Sequence, residues 1–206
     1  MFVLSNQLRS NSLPPNIITG MIELWAGSTV ACTEFGGERT AFARVMQVRN
    51  GLIYCEYTDQ ERRTLLADQI RMSSFAGRNW LAGLFHISSV QNRRFVVRPL
   101  GSIHCRDLDF PLKTCTFDCA VEIEEGGRRR MAKLSAISAD SAAIEIPEVI
   151  NRGTALAVDI KMANKVFTLE AVVQQQILTD ETAYSLCKIS CPSRLTSGIW
   201  LALAAA

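Results

Sequence analysis

Residues 154–162, TALAVDIKM, set Leu156, Val158, Ile160 and Met162 in alternation with Ala155, Ala157, Asp159 and Lys161. Successive side chains on a strand point to opposite faces, so this pattern predicts one buried and one wetter face and fits a helical period poorly. The flanking text repeats the theme. CTFDCAVEIEE (115–125), RRRMAKLSAIS (128–138), SAAIEI (141–146), FTLEAVVQQQI (167–177) and YSLCKIS (184–190) are each of strand length and each bounded by turn chemistry.

Working outward, MIELW (21–25), STVACTEF (28–35), RTAFARVMQV (39–48) and LIYCEYT (52–58) read as a second group of short strands. Asn50-Gly51 between two of them is a hairpin signal, because a tight primed turn needs positive φ at its central residues. The expected fold class is all-β, with two small β-barrels. Residues 1–18, rich in Ser, Asn and Pro, read as a flexible lead, and residues 19–76 as the first barrel. The apolar stretch GRNWLAGLFHISSV (77–90) has no clear period, so residues 77–91 are expected to be a packed connector before a second domain over 92–206. Only the tail, SRLTSGIWLALAAA, gathers good helix formers, and a short terminal helix packing through Leu195, Ile199 and Leu203 is expected.

The balance of 22 basic against 20 acidic residues is too even to imply a nucleic-acid or membrane partner by itself. No segment carries the roughly 18 consecutive apolar residues of a membrane span, and the opening MFVLSNQLRSNSLPP lacks a secretory start. A cytoplasmic location follows as the expectation, with the seven cysteines mostly reduced thiols. Cys115-x-x-x-Cys119 and Cys187-x-x-x-Cys191, with His86 and His104 in reserve, are the metal candidates. Four residues along a strand span about 13 Å, too far for two thiolates to share one ion at about 2.3 Å, so inert buried thiols are preferred and no cofactor is expected. No nucleophile elbow or phosphate loop is present, so the chain is read as a non-enzyme.

Two basic segments remain. Arg128-Arg129-Arg130 follows Glu122, Glu124, Glu125 and Gly126-Gly127, which reads as a hairpin of opposed charges, with a partner-contact patch as the alternative. Arg93, Arg94 and Arg98 fall in QNRRFVVRP (91–99) and supply an R-x-x-x-R spacing. Guanidinium groups suit phosphate, which they grip bidentately, and they stack on purine faces.

About forty residues after that segment comes KLSAISADSAAIEIP (133–147), then Asn151-Arg152-Gly153 and the alternating strand. This order resembles the PilZ family from about Asn92 to Ser190: an arginine segment, a strand ending in a [D/N]-x-S-x-x-G turn, a hydrophobic strand, a glycine turn and two more strands. The resemblance implies a six-stranded barrel whose arginine segment folds over the mouth and binds cyclic di-GMP. By position Arg94 and Arg98, with Arg93 beside them, match the arginines, and Ser138 matches the motif serine. Ala136 stands where Asp or Asn is expected and Ser141 where Gly is expected. Alanine offers a guanine edge no polar contact.

The first strand group also resembles an SH3-like or Tudor-like barrel and the N-terminal barrel of flagellar-brake proteins, in which the arginines lie near the domain junction. The leading expectation is therefore a bacterial cyclic di-GMP receptor or adaptor that signals to an unidentified protein partner, in motility, exopolysaccharide or virulence control. A nucleotide-independent adaptor is the alternative. A nucleic-acid or methylated-peptide module comes third, with Phe42, Tyr54 and Tyr57 as a possible cage; ordinary packing explains those rings more simply.

Overall fold

The computed structural model describes residues 23–37, 39–58, 65, 67–162, 165–179, 183–191 and 193–205, side chains of Phe117 and Asp118 excepted. The expected flexible lead, 1–18, lies outside them. Strands are β1 (Thr29–Glu34), β2 (Thr40–Arg49), β3 (Leu52–Tyr57), β4 (Gln69–Gln91), β5 (Arg94–Pro99), β6 (His104–Glu125), β7 (Arg128–Ile137), β8 (Ser141–Ile146), β9 (Ala155–Met162), β10 (Lys165–Leu178) and β11 (Ala183–Ser190), followed by helix α1 (Arg194–Ala205).

These strands close two barrels. The first runs β1-β2-β3-β5-β4 and is sealed by β1 against β4; the second runs β6-β7-β8-β11-β10-β9 and is sealed by β6 against β9. The all-β class and the six-stranded second barrel agree with the expectation. At the Asn50-Gly51 hairpin both φ angles are positive, 53° and 72°, as a primed turn requires. Leu156, Val158 and Ile160 are buried on β9, and only Met162 at its end breaks the alternation by lying exposed.

The domain boundary differs from the expectation in a way that matters for the site. Residues 77–91 form no connector: they are the second half of β4, whose early part pairs with β1, whose middle pairs with β6 and whose end pairs with β5. Trp80, Leu81, Ala82 and Gly83 are buried in succession because both faces of β4 are covered where the barrels meet, which erases the period of two. Register shifts at Gly77/Asn79 and Ile87/Ser89 break it further. Residues 92–99 complete the first barrel as β5, so the second barrel begins with β6.

Each barrel has its own core, one around Trp25, Ile53, Phe85 and Phe95, the other around Ile123, Leu134, Ile144 and Leu169. A third apolar cluster, with Phe75, Trp80, Phe110, Tyr184 and Leu186, lies between them. Tyr184 stands edge-on to Phe75 at 5.6 Å and 6.0 Å from Trp80, so apolar packing continues across the junction. Gln175 of β10 ties it further, accepting from Asp109 N–H and donating to the Asp107 carbonyl, both at 3.1 Å.

Two local expectations are corrected. Trp25, expected on a strand, sits in a turn and plugs the first core. Helix α1 forms and Leu203 packs against the second core as expected, but Leu195 is 69% exposed and the buried anchors are Thr196 and Trp200, because the indole of Trp200 both enters that core and donates to the Ala139 carbonyl at 3.0 Å.

Candidate functional site

The residues singled out from the sequence are distributed over two barrels. Arg94 and Arg98 lie on β5, where Phe95 and Val97 point into the first core and the two arginines point outward. They do not fold over the mouth of the second barrel, since β5 is held between β3 and β4. Four residues of strand separate them by about 13 Å along one face, so they do not converge on one anion. Arg94 faces Glu56 at 3.9 Å, and Arg93, in the turn after Asn92 (φ 56°), donates to the Tyr57 carbonyl at 2.9 Å.

Ser138 and Ser141 belong to the β7–β8 turn of the other barrel, and that turn is satisfied internally. Ser141, fully buried, donates to the Asp140 carboxylate at 2.8 Å; Ser138 Oγ does so at 3.4 Å and Lys188 Nζ at 2.8 Å. Lys188 and then Ser141, through their hydrogen bonds, hold the Asp140 carboxyl below its ordinary value. Ile189 N–H and Trp200 take the turn's Asp140 and Ala139 carbonyls. Ala136, where the motif expects a polar side chain, is fully buried in the junction cluster.

What the fold does gather is a cleft of about 1010 Å³ with walls from both barrels. One wall is the outer face of β2, β1 and β4, carrying Thr40 and Phe42, Ala31 and Thr33, and Arg71, Ser73 and Phe75. The other carries Met131, Lys133 and Ser135 of β7 and Glu145 of β8, with His104 and Arg106 of β6 at the side and Trp80 and Tyr184 also lining it. Arg71, Arg106 and Lys133 line it together with Glu145, the one carboxylate among its described lining residues, which accepts from Ser135 Oγ at 3.1 Å. Lys133 Nζ stands 5.7 Å above the Phe42 ring, a cation–π contact from one barrel to the other. Thr114 links the walls at the floor, accepting from Phe75 N–H at 2.7 Å. The Trp80 indole N–H is buried there without an acceptor among the described residues.

Sequence spacing gives no hint of this set, because residues 71, 106 and 133 come from three strands. The available signal was weaker: single basic residues, Arg71 and Lys133, at outward positions of strands whose neighbours Ile70, Met72 and Leu134 are apolar.

The remaining candidates resolve simply. Phe42 faces the cleft while Tyr57 is buried in the first core, 4.6 Å from Phe95, so Phe42, Tyr54 and Tyr57 do not form a cage. Burial pushes the thiols of Cys55, Cys115 and Cys187 up to about 12 and raises Cys119 and Cys191 as well. His86 sits on the first barrel opposite Arg98, and among the described residues no cluster of three His, Cys, Asp or Glu could hold a metal. Arg129 pairs with Glu124 at 2.8 Å and Glu122 at 3.4 Å, while Arg130 pairs with Glu125 and Glu148, so the RRR segment is a hairpin of opposed charges. No described helix is long and apolar enough to cross a membrane.

No family model matches the sequence, and no curated relative matches it either. Among solved structures, the chain is similar to the inhibitor of motility MotI/DgrA of Bacillus subtilis, at 14% identity over 87% of this chain and 95% of that one, TM-score 0.39. It is similar to the K. pneumonia MrkH–c-di-GMP complex, at 13% identity over 91% and 90%, TM-score 0.43. It is also similar to YcgR in complex with c-di-GMP from Escherichia coli, at 10% identity over 92% and 88%, TM-score 0.42.

Proposed function

We infer that this chain is a receptor that binds a phosphate-bearing, ring-containing ligand of the cyclic di-GMP class in the cleft between its barrels. The observation that carries the reading is the convergence of Arg71, Arg106 and Lys133, contributed by both barrels, on a cleft lined by Phe42, Phe75, Trp80 and Tyr184. Guanidinium groups pair with phosphate, and the aromatic lining suits a flat base. A cleft of about 1010 Å³ at a domain junction is large enough for a dinucleotide. The ligand class rests on this chemistry and on the PilZ resemblance of the sequence.

The output is positional. A ligand touching both walls favours the pose in which both are in reach, and it shifts the equilibrium by its differential affinity for that pose. A protein partner reads the pose, and no chemistry on the nucleotide is involved. Arg94 and Arg98 are left outside the site in this reading, and Ser138 and Ser141 support the second barrel. One observation favours a second reading, a nucleotide-independent adaptor: the β7–β8 turn is fully occupied by Asp140, Lys188 and Trp200 and offers a ligand little.

Calorimetric titration with cyclic di-GMP separates the two. The receptor predicts a dissociation constant in the micromolar range or tighter, weakened about ten- to a hundredfold by Arg71→Ala or Arg106→Ala through lost charge-assisted contacts. Arg94→Ala and Arg98→Ala should change it less than about threefold. Loss confined to the β5 variants returns the site to the arginine strand. No heat up to about 1 mM removes the receptor in favour of the adaptor.

A further inference from the structure

The first barrel carries a charged face that belongs neither to its core nor to the cleft. With Val45, Ile53, Cys55, Phe95 and Val97 turned inward, β2, β3 and β5 present Arg44, Arg49, Arg94 and Arg98 to solvent. Cross-strand register fixes the layout: Arg44 is opposite Glu56, which is opposite Arg94; Gln47 is opposite Tyr54, which is opposite Val96; Arg49 is opposite Leu52, one residue before the Ile53–Val97 pair and hence level with Arg98. Strands about 4.8 Å apart and residues about 3.3 Å apart put the four guanidinium groups at the corners of a field roughly 10 Å by 13 Å. Half-buried Tyr54 and Val96 occupy its centre, and His86 of β4 extends one edge beside Arg98.

The field is scarcely neutralised. Among the described residues Glu56 is its one carboxylate, meeting Arg94 at 3.9 Å across an exposed gap, and Arg44, Arg49 and Arg98 form no ion pair. The same molecule treats the arginines of the β6–β7 hairpin differently, matching exposed Arg129 and half-buried Arg130 with Glu122, Glu124, Glu125 and Glu148. A face of like charges left without internal partners is complementary to an acidic surface.

We propose that the β2-β3-β5 face of the first barrel docks an acidic protein segment, its carboxylates against Arg44, Arg49, Arg94 and Arg98 and an apolar side chain on Tyr54 and Val96. A ring of polar contacts around an aromatic and aliphatic centre is the anatomy of a protein interface, in which arginine and tyrosine are enriched. Nucleic acid fits less well: Glu56 would face phosphate, the field spans few phosphates, and the chain's net charge of +2 gives a polyanion little support beyond it. The inference concerns the partner, and it stands on this face independently of what the cleft binds.

The test uses the full chain and two fluorescent probes, an Asp/Glu-rich peptide with a central leucine and a random-sequence DNA duplex, followed by anisotropy at low and physiological salt. The peptide should bind more tightly than the duplex. The double reversal Arg49→Glu/Arg98→Glu should weaken peptide binding at least about tenfold, and the reversal Arg128→Glu/Arg152→Glu on the other barrel less than about twofold. Circular dichroism verifies that each variant is folded, and cyclic di-GMP titration of the first variant, expected unchanged, keeps this outcome separate from that of the cleft. Tighter binding of the duplex, equal losses in both reversals, or no peptide binding up to about 1 mM would each overturn the proposal.

Discussion

Arg94 and Arg98 sit four residues apart in the sequence and end on the outside of one strand, whereas Arg71, Arg106 and Lys133 are scattered over more than sixty residues and end on one cleft. The difference is one of geometry. A strand carries its own residues apart at about 3.3 Å per step, while pairing and barrel closure bring separate strands to within about 4.8 Å, so in an all-β protein convergence comes from different strands. A motif of close spacing then marks a face, and a site forms where faces from two barrels oppose each other.

This contrast can be broken or sharpened in three ways. The largest effect is chemical. At pH 8 a thiol with a pKa near 12 is only about 0.01% thiolate, so Cys55, Cys115 and Cys187, closed inside the two barrels, should react with a disulfide reagent far more slowly than the partly exposed Cys105 and Cys191. The sign for stability follows: folded values raised above the ordinary 9.0 leave the native state at full advantage below that pH, and the advantage is lost as pH rises from about 9 toward 12. A thermal midpoint that rises over that interval would contradict the closed cores.

Next in size is the junction. Trp80→Ala or Phe75→Ala removes a ring from the cluster between the barrels and should cost about 3–5 kcal/mol in urea unfolding. The pair Arg94→Ala/Arg98→Ala, on the solvent face, should stay within about 0.5 kcal/mol of the parent. Comparable losses in the two variants would mean that the outer strand is as structural as the junction, and the contrast would fail. The smallest effect lies on α1: Trp200→Phe keeps a buried ring but gives up the bond to the Ala139 carbonyl, about 1 kcal/mol, while Leu195→Ala should be neutral.

Much of the architecture was readable from the residues, and the reason is the period of two. Leu156, Val158 and Ile160 alternate because β9 has one face in the core and one outside it, and Asn50-Gly51 announces its turn through the φ it must adopt. The reading failed at β4, where Trp80 to Gly83 are covered by a barrel on each side and two register shifts change the parity of what remains. Missing that strand misplaced the domain boundary and with it the arginine segment, which the fold uses to complete the first barrel. The cleft was not readable at all, since Arg71 and Lys133 are ordinary outward residues of their own strands and come to line one cleft only when the sheets face each other. The tail was half readable: helix formers predicted α1, but the choice of Trp200 over Leu195 depends on the Ala139 carbonyl waiting beneath it.

Hydrogen exchange with and without cyclic di-GMP tests the central claim most directly, because it reports on both regions in one experiment. The account predicts slower exchange on ligand addition in residues 71–75, 104–106 and 131–135, the walls of the cleft, with residues 94–99 unchanged. Protection confined to residues 94–99 or to the turn at 138–141, with the cleft walls unaffected, would contradict it.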